Sequence, residues 1–111
     1  MKPDAAALAS LLQRLEATPH AGAIRLEAVV LANHLALDTR DPAWVDVAEA
    51  LVEEEVPGST RVLRSSLSEQ AQLARSVRRA LTRPEPSTEE FDRVNAQWLE
   101  LARAANAAEA L

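Results

Sequence analysis

The stretch "PHAGAIRLEAVVLANHLALD", residues 19–38, decides how this chain folds. Its apolar residues fall on two nearly opposite sides when successive residues are placed 100° apart around a helix. They are Ile24, Ala28, Leu31 and Leu35 on one side, and Leu26, Val30 and Leu37 on the other. A helix that is apolar around most of its circumference is usually covered by neighbours on every side. The stretch therefore predicts a central helix or, as the alternative, a helix partly covered by a second subunit.

Prolines and capping residues divide the first half of the chain into three helices. Asp4 is a good N-cap for the first, and Thr18-Pro19 ends it and begins the second, since proline is tolerated at a first helical position. Asp41-Pro42 repeats this arrangement for a third helix, which Pro57-Gly58 stops. The residues expected to face inward are Leu8, Leu11, Leu12 and Leu15 in the first helix, and Trp44, Ala48, Leu51 and Val52 in the third.

Two more helices are predicted in the second half. The fourth begins either at Ser59 or at Ser66, where Ser66 and Glu69 have the spacing of a capping box. The earlier start is favoured because an apolar stripe continues across Ser66. The fifth begins at a clearer capping box formed by Ser87 and Glu90. The stripes are Leu63, Leu67, Ala74, Val77 and Leu81 in the fourth helix, and Phe91, Val94, Trp98, Leu101 and Ala105 in the fifth.

The composition agrees with a helical protein. The 111 residues include 23 alanines, only two glycines and no tyrosine, and they lack the β-branched and aromatic enrichment of strands. The length is that of one domain, and no linker or internal repeat interrupts it. The predicted fold is all-α: a compact bundle of five helices in a single domain, residues 1–111, with mostly antiparallel neighbours and short connections.

The residue inventory also limits the function. Without cysteine the chain has no disulfide, thiolate metal site or cysteine nucleophile. It has no glycine-rich phosphate loop and no nucleophile elbow, so we expect neither enzymatic activity nor a cofactor. No apolar run is long enough to span a membrane and the N-terminus does not resemble a signal peptide, which favours a cytoplasmic protein. Its many alanines and arginines are typical of GC-rich bacterial genomes.

Positive charge is concentrated in one segment of this acidic chain. The formal net charge is -5, yet residues 59–83 hold six arginines and a single acid, Glu69. On a helical wheel these arginines share one arc outside the apolar stripe. This arginine face consists of Arg61, Arg64, Arg75, Arg78, Arg79 and Arg83.

The third helix carries the opposite charge. Its acidic face consists of Asp46, Glu49, Glu53 and Glu54, followed by Glu55. Successive helix residues point about 100° apart, so the run of glutamates cannot converge on one calcium or magnesium ion. We expect it instead to be solvated or to complement an arginine face.

Three interpretations of the arginine face remain open. The leading one is a small non-catalytic protein–protein interaction module, such as an adaptor, an inhibitor or antitoxin-like protein, or a self-assembling homo-oligomer, in which the arginine face meets acid on a partner or on a second copy. The alternative is a nucleic-acid-associated subunit, which the negative net charge and the absence of aromatic stacking residues outside the core disfavour. The third is a solvated face with weak intramolecular ion pairs.

Both histidines belong to a polar strip predicted along the second helix. The strip consists of His20, Glu27, His34 and Asp38. His34 and Asp38, four residues apart, have a spacing at which two side chains could share a metal ion. The seven-residue steps correspond to about 10 Å of helix rise and keep His20, Glu27 and His34 from one ion. We therefore expect no metal site, and we expect Trp44 and Trp98 to be core anchors.

Overall fold

Each predicted helix is present in the computed structural model, which describes residues 3–54, 56–85 and 87–110, with side chains as far as residue 106. The helices are α1 (Ala5–Ala17), α2 (Gly22–Thr39), α3 (Ala43–Glu53), α4 (Arg61–Thr82) and α5 (Thr88–Ala110). Connections of three to seven residues join them, and the described ranges contain no strand. The prediction of an all-α bundle of five helices is confirmed.

The second helix is the centre of the bundle. It packs against each of the other four helices, and nine of its residues are buried. The surrounding helices therefore cover most of its apolar circumference. The radius of gyration is 13.4 Å, which matches the value of about 13 Å expected for a folded chain of this length.

The start of α2 differs from the prediction. Pro19 and His20 lie in a turn, in which the Ala21 amide donates to the Thr18 carbonyl at 3.0 Å, and the helix begins only at Gly22. A Cβ atom on Gly22 would overlap the Leu63 side chain, so the glycine lets the first turn of α2 pass close to α4. His20 is consequently exposed and outside α2.

The other helix starts follow the predicted caps closely. Asp4 accepts a hydrogen bond from the Ala6 amide, and Asp41 accepts one from the Ala43 amide, both at 2.9 Å. The early start of α4 is confirmed, although the capping side chain is Thr60, which accepts from the Leu63 amide at 3.1 Å, and not Ser59.

The core contains most of the predicted inward residues, with one shift in α3. Ala48 and Leu51 are buried as predicted, but Val45 is buried too, whereas Trp44 and Val52 are only half-buried. The helix is thus rotated slightly from the expected stripe. Its tryptophan covers the edge of the core and is not fully enclosed.

Four polar residues on α2 and α4 are buried in the bundle, and the sequence pattern did not identify them as buried: Arg25, Asn33, Ser66 and Gln70. Arg25 is only 3% exposed and donates to the Leu51 carbonyl at 2.9 Å and to Glu54 at 2.9 Å, which ties α2 to the end of α3. Asn33 and Gln70 are fully buried partners: the Asn33 amide donates to the Gln70 side-chain oxygen at 2.9 Å. Hydrogen bonds to buried polar groups offset the cost of removing them from water.

Candidate interaction surface

The arginine face lies along the outer side of α4. This helix buries one side in the core through residues such as Leu73 and Val77. Its opposite side extends over about 33 Å, the length of 22 helical residues. Five of the six arginines of the face are exposed, and Arg78 is half-buried.

Arg78 joins the arginine face to the acidic face of the same chain. Its Nε atom donates to Glu49 at 2.9 Å, and its Nη2 atom donates to Asp46. These hydrogen bonds, that to Asp46 first and that to Glu49 second, raise the pKa of Arg78 above its ordinary value. Part of the positive charge of α4 is therefore paired with the acidic residues of α3 inside the same molecule.

The rest of the acidic face is also partly engaged. Glu54 forms an ion pair with the buried Arg25 at 2.9 Å. Glu53 is exposed, and Glu55 lies outside the described residues. Three of the four acidic residues predicted for partner binding thus hydrogen-bond to arginines of their own chain.

Four exposed arginines of α4 differ from Arg78 in their surroundings. Arg61, Arg64, Arg75 and Arg79 form no ion pair with the residues that the structure describes. We call these four residues the basic stripe. Between them on the same side lie the exposed polar residues Ser68 and Gln72. A row of guanidinium groups without ion-pair partners among the described residues is suited to bind carboxylates or phosphates bidentately.

Beyond the end of the stripe, Arg83 lies beside Glu90, the residue predicted to complete the capping box of α5. The Ser87 hydroxyl accepts from the Glu90 amide at 3.4 Å, which is half of the predicted capping box. The Glu90 carboxylate lies 3.1 Å from Arg83 and 4.0 Å from Arg93, with only 10% of its side chain exposed. Arg93 was not predicted as a site residue; its spacing of three from Glu90 was the available signal.

The residues of the polar strip lie in different surroundings. His34 is half-buried and stacks on Trp98 with ring centroids 3.9 Å apart, while Glu27 and Asp38 are exposed. Burial lowers the pKa of His34, against an opposing effect of Asp38. Within the described ranges no group of three or more histidine, aspartate or glutamate residues could hold a metal ion.

Trp98 closes one edge of the core beside this histidine. It is half-buried, and its indole nitrogen donates to the Val30 carbonyl at 2.9 Å. A satisfied N–H and a stacked ring indicate an anchor between α5 and α2, in agreement with the prediction of a structural role.

Comparisons with known proteins give no family or functional assignment. The chain matches no protein-family model, no curated protein and no solved structure. Within the described residues, none of the helices combines the length and apolar character needed to cross a membrane.

Proposed function

We propose that this protein is a non-catalytic protein–protein interaction module that docks an acidic surface of its partner on the basic stripe of α4. The observation that carries the proposal is the row of four exposed arginines that form no ion pair with described residues. Arg64 and Arg75, which lie near its middle, belong to a rigid helix whose opposite side is buried. Such a surface selects acidic partners and speeds their encounter more than it adds to affinity.

The internal ion pairs favour a different protein over a second copy as the partner. Asp46 and Glu49 already hydrogen-bond to Arg78, and Glu54 to Arg25. A second copy that offered its acidic face would have to exchange these bonds for equivalent ones, with little net gain. A distinct acidic protein requires no such exchange.

Affinity capture with matched charge reversals tests the proposal. Tagged wild-type protein, R64E/R75E and R14E/R103E are each incubated with nuclease-treated extract of the source cells, and captured proteins are quantified by mass spectrometry. Arg14 and Arg103 are exposed arginines on α1 and α5, so the control makes the same change in charge away from the stripe. Circular dichroism verifies that every variant is folded.

The expected result is an acidic protein that wild type and R14E/R103E retain and that R64E/R75E loses. The purified partner should then reproduce this ranking, with an affinity that falls as salt rises because exposed charges are screened. Equal retention by all three proteins would refute a role for the stripe.

The nucleic-acid interpretation has one observation in its favour. The basic stripe, which extends from Arg61 to Arg79 over about 27 Å of helix, could follow a phosphate backbone as well as an acidic protein surface. Against it, the three aromatic residues are engaged elsewhere: Phe91 is buried, Trp98 is stacked on His34, and Trp44 covers the core. No aromatic platform is left for stacking bases. We retain this function as the second candidate.

A further inference from the structure

A small polar pocket lies between the last turns of α4 and the first turns of α5. Its volume is about 130 Å³. The residues that line it are Ser76, Arg79, Arg83, Glu90, Arg93, Val94 and Gln97. Three guanidinium groups and one carboxylate give this lining a net charge of +2. Positive charge is thus concentrated here in a chain whose net charge is -5.

Glu90 lies within ion-pair distance of two of these arginines. Its carboxylate lies 3.1 Å from the Nε atom of Arg83 and 4.0 Å from an Nη atom of Arg93, and its side chain is only 10% exposed. Arg79 is held separately, because its Nη2 atom donates to the Ser76 hydroxyl at 3.3 Å. Arg79 is therefore partly positioned already, and a guanidinium group that is already positioned loses less conformational entropy when it binds an anion.

The contacts of Arg83 and Arg93 with Glu90 leave N–H donors of both arginines free to bind a ligand. The buried Oε2 atom of Glu90 accepts no hydrogen bond of good geometry, although Arg83 lies within ion-pair distance. The N–H groups of Arg83 are therefore not directed at this carboxylate. Each guanidinium carries five N–H donors, so Arg83 and Arg93 can also donate to a ligand.

From this arrangement we infer that the pocket binds a phosphate monoester group. At neutral pH such a group carries a charge of about -1.5 to -2, which matches the lining, and its oxygens accept the paired N–H donors of arginine. The pocket is small and bounded by two helices, so it suits a terminal phosphoryl group with one attachment. A phosphodiester inside a nucleic-acid chain needs two exits. The ligand is either a free phosphate compound or a phosphorylated side chain of a protein.

Isothermal titration with inorganic phosphate, at constant ionic strength, tests the site on the intact protein. The wild type should bind phosphate saturably, and R93Q and R83Q should each weaken binding about tenfold, since each removes a charge-assisted contact. R103Q is the matched control because Arg103 is an exposed arginine of α5 outside the pocket, and it should bind like the wild type. Absence of saturable binding, or equal binding by R93Q, R83Q and R103Q, would overturn the inference.

A second titration separates the two sources of the ligand. A peptide that contains phosphoserine and binds more tightly than inorganic phosphate would assign the pocket to a phosphorylated protein. A peptide that binds no more tightly would assign it to a free phosphate compound. Displacement of phosphate by a single-stranded oligonucleotide without terminal phosphates would overturn the monoester assignment. The site overlaps the basic stripe only at Arg79. Failure of this inference is distinguishable from failure of the proposed function, because Arg64 and Arg75, whose reversal tests the stripe, do not line the pocket.

Discussion

Asn33 and Gln70 are two amide side chains in the middle of a mostly apolar core. Asn33 is completely buried, and its side-chain nitrogen donates to the side-chain and main-chain oxygens of Gln70, at 2.9 and 3.3 Å. The Oδ1 atom of Asn33 is buried with no hydrogen-bond partner among the described residues. The pair joins α2 to α4, the helix that carries the basic stripe, so it connects the centre of the bundle to its candidate surface.

Removal of one amide should cost more stability than removal of both. Q70L leaves the buried Asn33 amide without its side-chain acceptor, and with only the longer bond to the main-chain oxygen of residue 70, so it should lower the free energy of unfolding by about 1–3 kcal/mol. N33L/Q70L replaces both groups by apolar ones and should recover most of that loss. Urea unfolding of the three proteins measures the difference. A double variant less stable than Q70L would show that the pair contributes net stability.

His34 gives the protein a pH dependence with a defined sign. Because burial lowers its pKa below the ordinary value of 6.5, the unfolded chain binds a proton more readily than the folded one. The contribution of neutral His34 to the free energy of unfolding is fully present above about pH 6.5, and it is lost as the pH falls toward the folded-state pKa.

The comparison of H34Q with H20Q isolates this effect. H34Q should flatten the fall in unfolding free energy between about pH 6.5 and pH 5, whatever its uniform effect through the lost stacking on Trp98. H20Q is the control because His20 lies exposed in the turn before α2. Chemical unfolding at several pH values provides the measurement, and identical pH profiles for wild type and H34Q would contradict the account.

At the scale of the helix, the start of α4 determines where the basic stripe begins. The Thr60 hydroxyl accepts a hydrogen bond from the Leu63 amide. The hydrogen bond of Ser59 comes from its main-chain amide, which donates to the Val56 carbonyl. T60A should therefore destabilise the protein by about 1 kcal/mol, and S59A should have almost no effect. Thermal unfolding checks both substitutions. If S59A destabilised the protein more than T60A, Ser59 and not Thr60 would be the residue that caps α4.

Helix positions could be predicted from the sequence because they depend on local signals. Periodicity and caps specify each helix by itself, and the apolar circumference of α2 predicted its central place. The ion pair between Arg78 and Glu49 could not be predicted in the same way. A helical wheel gives angles within one helix, whereas the approach of α3 to α4 depends on how both pack on α2.

The buried arginine shows the same limit more clearly. In the sequence Arg25 is one charged residue in an apolar stretch, and no local signal indicates that it will be covered. Its acceptors, the Leu51 carbonyl and the Glu54 carboxylate, belong to the end of a different helix. The pocket around Glu90 was missed for a related reason, because a capping-box spacing describes the main chain and does not show where the carboxylate will lie.

At the scale of the whole molecule, charge is divided along the chain and then partly rejoined by the fold. Residues 1–58 carry a net charge of -6, residues 59–83 carry +5, and residues 84–111 carry -4. Folding pairs Arg78 with α3 and Arg83 with α5. It leaves the basic stripe exposed and without described acidic partners. The basic stripe is therefore the part of the molecule that is available to a negatively charged surface from outside.

The most direct test is the fluorescence anisotropy of labelled single- and double-stranded nucleic acid titrated with wild-type protein and R64E/R75E, from about 50 to 200 mM salt. The account predicts no tight binding at either salt concentration and no difference between the two proteins, because the stripe serves an acidic protein partner. Tight binding by the wild type that falls steeply with salt and is lost in R64E/R75E would contradict it. The arginines would then be phosphate contacts.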